Sequence, residues 1–155
     1  MSSQVTDLAQ VRAKRGDSAR TLLCQVSNVR AEAEVHRQIG FSYALTLEEL
    51  HHILEVCFGL PQEDSPWHFF EHTDARGQRI DPSHTVREFL SREGEQIDYA
   101  WGLWDFEIVV VETYPRDNGT PEALCVGGSG SFQTPFDLTA VNAELTGQEL
   151  SLIHI

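Results

Sequence analysis

Three carboxylates, Asp98, Asp105 and Glu107, sit among tryptophans and β-branched residues in the phrase DYAWGLWDFEIVVVE, residues 98–112. Carboxylates in such a setting can hold a cation, pair with an arginine of the same chain, or present a negative face to a basic partner. The plainer reading is a solvated face, where water and salt screen their repulsion. His68 and His72 share a strand face with Phe70 between them, and with nearby carboxylates they could serve a metal or acid–base chemistry. His51 and Glu55 stand one helical turn apart. A zinc site wants three or four such ligands converging, and no H-E-x-x-H pattern is present. His51 is therefore read as a residue that hydrogen-bonds within the fold, and neither metal nor other cofactor is expected. Cys125 precedes VGGSGS, an arrangement that could pair a nucleophile with an oxyanion loop. No G-x-S-x-G elbow accompanies it, and Lys14 is the sole lysine, so a phosphate-loop lysine is missing too. A buried thiol is the expectation, and no catalytic residue is assigned.

The elements that must position these groups can be read from periodicity. TLLCQVSNV (21–29) and EVHRQIGFSYAL (34–45) read as paired strands, the second with Val35, Arg37, Ile39, Phe41 and Tyr43 on one side. Thr46 and Glu49 form a capping-box pattern. Leu47, Leu50, Ile53, Leu54, Cys57 and Phe58 then recur at helical spacing, ended by Gly59 and Pro61. WHFFEH (67–72) is a strand, QRI (78–80) its short partner, and VREFLSRE (86–93) a short helix capped by Ser83 or Thr85.

Gly102-Leu103 has the glycine-first form of a two-residue hairpin turn. That turn sets Trp101 opposite Trp104, Tyr99 opposite Phe106 and Ile97 opposite Ile108, all on one face. The other face receives Asp98 opposite Glu107 and Ala100 opposite Asp105, so the acids interrupt nothing. Ile108–Val111 is apolar on both faces, as in a covered central strand. The Gly- and Pro-rich stretch 114–136 reads as a long loop, and DLTAVNAEL (137–145) as a last helix capped by Asp137.

With 155 residues the chain fits one domain. Cys24, Cys57 and Cys125 are widely spaced and odd in number, which suggests reduced thiols and a cytoplasmic setting. No apolar run approaches a membrane span and no signal peptide is evident. The net charge is −13. Residues 1–37 carry six Lys/Arg against four Asp/Glu, and residues 38–155 carry five against twenty. That field repels phosphate backbones, so the folded part should not bind nucleic acid directly. A basic protein partner suits it. Residues 1–20 read as a flexible arm, where any nucleic-acid contact would have to lie. Residues 21–149 form the domain, and LSLIHI (150–155) reads as a non-native tail of the kind a sequencing adapter encodes.

Five ordered phrases, VHRQI, TLEELHHILEVCFGL, WHFF, DYAWGLWDFEIVVVE and PRDNGTPEALCVGG, together resemble the plasmid pRiA4b ORF-3-like family over about residues 22–145. The resemblance implies an α+β domain of roll-like type, mainly an antiparallel sheet packed with two or three helices. It also implies an accessory role in a mobile element, as in TnpR-like passenger proteins. Matched positions include Arg37, Thr46, His51, His68, Tyr99 and Gly102. Where the family has Y-D-F-G-D this chain has Tyr99-Ala100-Trp101-Gly102-Leu103, and the family's later cysteines after Cys125 are missing. Recombinase chemistry is excluded, because the arginines after residue 37 are few and scattered. The expected function is a non-enzymatic interaction module using Asp98, Asp105 and Glu107 against a basic partner such as a transposase. Thr46, Glu49, His51, Tyr99, Trp101, Gly102 and Trp104 are the expected structural supports. The alternative is a small metal protein or enzyme built on His68 and His72.

Overall fold

One antiparallel sheet organises the chain. The computed structural model describes residues 19–29, 34–61, 65–73, 76–132 and 135–147. Seven strands, β1 (Arg20–Val29), β2 (His36–Ser42), β3 (Trp67–His72), β4 (Arg76–Ile80), β5 (Gln96–Trp101), β6 (Trp104–Pro115) and β7 (Ala123–Ser129), lie in the order β4-β3-β5-β6-β1-β2-β7. Two helices, α1 (Leu47–Phe58) and α2 (Leu138–Thr146), complete an α+β domain. Most of the expected flexible arm and the whole of the expected non-native tail lie outside the described residues. The arm's end is shorter than expected, since Ala19 is buried and Arg20 already opens β1.

Alternation builds the core. Leu22, Cys24 and Val26 of β1, Ile39 and Phe41 of β2, Ile97, Tyr99 and Trp101 of β5, and Phe106, Ile108 and Val110 of β6 all point inward. Helix α1 lays Leu47, Leu50, Leu54, Cys57 and Phe58 on that face. Its start is fixed as the sequence implies: Glu49 N–H donates to Thr46 Oγ1 at 3.2 Å, and Thr46 N–H donates to the Glu49 carboxylate at 3.0 Å. Gly59 closes the helix in the left-handed conformation at φ 63°.

The β5–β6 hairpin has the expected register, with Trp101, Tyr99 and Ile97 opposite Trp104, Phe106 and Ile108. Gly102 takes φ 59°, which a side chain would resist. Trp104 shares the inner face but stays 42% exposed at the hairpin tip, edge-on to Phe132 at 4.7 Å.

Three expectations need correction. The stretch 114–136 is not one loop, because β7 runs through it and pairs with β2. Its glycines serve that pairing: a Cβ on Gly128 would lie 2.7 Å from Arg37 Cδ and 2.6 Å from the His36 carbonyl oxygen. Residues 86–93 form only a 3₁₀ turn, Val86–Glu88. Val86 and Arg87 N–H groups donate sideways to the Leu45 and Tyr43 carbonyls rather than along a helix. The apolar run 108–111 is central but covered on one side only. Ile108 and Val110 are buried, whereas Val111 is exposed, and no helix among the described residues lies over the outer face.

Candidate functional site

The predicted acidic face exists on the outer side of the sheet. Asp98 stands opposite Glu107, Asp105 opposite Ala100, and Glu107 also opposite Ser27 of β1. All three carboxylates are half-buried. Asp98 of that like-charge pair has hydrogen-bond partners within the chain. Asp98 Oδ2 lies 3.0 Å from His72 Nδ1, and Asp98 Oδ1 accepts from Gln96 Nε2 at 3.0 Å. The two separate sequence candidates, the acids and His72, are therefore one cluster.

His68 does not join it. Four residues of extended strand separate His68 from His72 by about 13 Å, too far for one ion. Burial, followed by the charge of Arg79, pushes the His68 pKa down. The alternative metal pair His68/His72 is thus not brought together.

A second polar cluster lies between α1 and the inner face. His51 is buried, its Nδ1 2.6 Å from the Tyr99 hydroxyl. Its ring stacks on Trp67 with centroids 3.7 Å apart and planes 10° apart. His51 Nε2 lies 3.5 Å from Glu55 Oε1, and His52 Nδ1 also lies 3.5 Å from Glu55 Oε1. Glu55 is 6% exposed, and its Oε2 accepts from Trp101 Nε1 at 3.2 Å. Burial, with the neighbouring His52 second, pushes the His51 pKa down to about 4. Burial, with the Glu55 charge second, pushes the Tyr99 hydroxyl up. Through these contacts His51, Tyr99 and Trp101 tie helix to sheet. Helical spacing pairs Glu55 with His51 in the sequence, but His52 was not among the expected residues. The available signal was H-H-x-x-E on a well-capped helix, whose partners Tyr99 and Trp101 lie far along the chain.

Cys125 is a strand residue, not a loop nucleophile. Its thiol is buried and donates to the Gly127 carbonyl at 3.4 Å. A hydrogen bond from Cys57 is the chief cause holding Cys125 down at about 7, while sharing that bond, together with burial, raises Cys57. Beside them Arg37, 1% exposed, donates from Nε to the Cys57 carbonyl at 2.8 Å and from Nη1 to the His36 and Ser129 carbonyls at 2.8 and 3.1 Å. Its guanidinium covers the Phe136 ring at 3.8 Å. A 330 Å³ cleft between the C-terminal end of α1 and α2 opens onto Arg37 and Cys57.

No family model matches the sequence, and no curated protein matches it. Among solved structures the chain is similar to a protein of unknown function, MM3350 from Methanosarcina mazei Go1. The TM-score is 0.61 at 11% identity, covering 88% of this chain and 82% of that one. At that identity the likeness shows the fold alone. No helix among the described residues is long and apolar enough to cross a membrane.

Proposed function

We propose that this chain is a non-enzymatic interaction module that docks a basic protein partner on the outer face of its sheet. The observation that carries the reading is the β5–β6 hairpin. It presents Asp98, Asp105 and Glu107 on a face that no helix among the described residues covers, and residues 96–115 contain no Lys or Arg. Half-buried Val109 and exposed Val111 lie beside these acids on β6 and add apolar contact area. A central strand pair also makes a rigid platform, which limits the entropy lost on docking. The acidic balance disfavours nucleic acid as the occupant of this face.

In this reading the protein acts in the cytoplasm as an accessory of a mobile element. The partner is a transposase or another DNA-binding protein, whose basic surface complements the carboxylates. The motif resemblance to the plasmid pRiA4b ORF-3-like family supports that choice.

The test uses an arginine-rich synthetic peptide as probe. Its affinity is measured by titration calorimetry for the wild type, for Asp98→Asn/Asp105→Asn/Glu107→Gln, and for the charge-matched control Glu48→Gln/Glu93→Gln/Glu122→Gln. At about 0.2–1 kcal/mol per surface carboxylate, the face variant should lose roughly 3- to 100-fold in affinity. The control should stay within about twofold of the wild type. Equal losses in both variants would mean that net charge, not this face, attracts the probe.

A further inference from the structure

The geometry points to a divalent transition-metal site of the zinc class formed by His51 Nε2, His52 Nδ1 and Glu55 Oε1 on α1. It stands on observations independent of the docking face. Among the described residues these form a group whose three ligand atoms lie within 4.8 Å of one another. Tetrahedral zinc, with bonds of about 2.0–2.2 Å, spaces its ligand atoms about 3.3–3.6 Å apart. Both histidine–carboxylate separations are already 3.5 Å. A hydrogen bond between such groups would close to about 2.7–3.2 Å, so 3.5 Å is long for a shared proton and right for a shared ion.

Helical spacing explains the convergence. Glu55 is four residues from His51 and three from His52, so its carboxylate is the neighbour of both rings. His51 and His52 lie about 100° apart around the axis, which leaves their mutual edge the longest of the three. His52 can close it, because its side chain is 67% exposed and unhindered.

The groups behind these ligands are those a metal centre needs. An imidazole ligand is oriented by a partner on its other nitrogen, and a ligating carboxylate by a donor on its second oxygen. Tyr99 Oη occupies His51 Nδ1, and Trp101 Nε1 occupies Glu55 Oε2. Trp67 holds the His51 ring flat against it. The His51 ring and the Glu55 carboxylate are thus fixed with their remaining atoms facing each other, and exposed His52 supplies the movable third ligand. Glu55 is buried, and its Oε1, the oxygen that Trp101 leaves open, faces the two imidazole nitrogens at 3.5 Å each. The exposed side, at His52, leaves a fourth position for water or a ligand atom.

The test takes the full chain, strips it with a chelator, and titrates Co²⁺ as a spectroscopic probe with Zn²⁺ as competitor. The expected result is one equivalent with tetrahedral cobalt bands, displaced by Zn²⁺. Glu55→Gln and His52→Ala should each weaken binding at least 100-fold. His52→Ala is the safer variant for folding, since it removes an exposed side chain. Tyr99→Phe should weaken binding 10- to 100-fold by loosening His51, and His72→Ala should leave it unchanged. Binding no tighter than millimolar in the wild type would overturn the assignment. So would binding that survives intact in His52→Ala and Glu55→Gln.

Discussion

Replacing Arg37 with methionine should destabilise the domain by about 2–4 kcal/mol, although methionine keeps the length and apolar stem of the side chain. The guanidinium donates to three carbonyls from three elements: Cys57 of α1, His36 of β2 and Ser129 of β7. The Cys57 carbonyl belongs to the last turn of α1, where no intrahelical donor remains. Each acceptor left without a donor costs about 1–3 kcal/mol, giving roughly 3–6 for the three after water reaches part of the cleft. Lost cation–π contact with Phe136 adds about 0.5–2 kcal/mol. Removing a buried charge returns several kcal/mol of desolvation, which brings the net cost down to about 2–4 kcal/mol. Arg37→Lys should fall between wild type and Arg37→Met, because one ammonium cannot span three divergent carbonyls or stack flat on Phe136. Urea unfolding followed by far-ultraviolet circular dichroism reads both variants. Arg37→Met as stable as the wild type within about 0.5 kcal/mol would refute the claim that this arginine joins the three elements.

Two further outcomes follow from the structure. Asn142 of α2 clamps the edge strand β7, accepting from Cys125 N–H and donating to the Cys125 carbonyl, both at 2.7 Å. Asn142→Ala should therefore cost about 1–3 kcal/mol and expose a strand edge that promotes self-association; an unchanged Tm and a monodisperse profile on size-exclusion chromatography would contradict it. Burial depresses folded His51 to about 4 from an ordinary value of 6.5, so between those values the unfolded chain takes up a proton that the folded chain refuses. In chelator-treated protein, stability should be insensitive to this group above pH 6.5 and should fall as pH drops, by about 2 kcal/mol at pH 5. His51→Gln should lack that component of the decline, and an identical pH profile in the variant would disprove it.

The sequence made some of this legible for specific physical reasons. The β5–β6 register could be read because Gly102 and the alternating stripe agree on one answer. Helix α1 could be read because Thr46 and Glu49 form a local cap. Strand β7 could not, since GG within ALCVGGS looks like a loop until Arg37 is seen to pass over Gly128. The burial of Arg37 was hidden because its three acceptors lie on different elements, and a charged residue in a strand ordinarily faces water. No α-helix forms over 86–93: the local capping pattern is real, but the Thr46–Thr85 bridge and the Leu45 and Tyr43 carbonyls capture the Val86 and Arg87 N–H groups. The carboxylates Asp98, Asp105 and Glu107 were placed correctly by alternation, but the His72 contact required knowing that β3 lies beside β5. The His51–His52–Glu55 cluster was half visible, as helical spacing alone says nothing of Tyr99 and Trp101 behind it.

The docking claim is tested most directly by amide chemical-shift mapping with the arginine-rich peptide. Shifts should concentrate on Gln96–Trp101 and on residues 104–111, fade with salt, and vanish in Asp98→Asn/Asp105→Asn/Glu107→Gln. Shifts concentrated on α1 or α2, and retained in that variant, would contradict it.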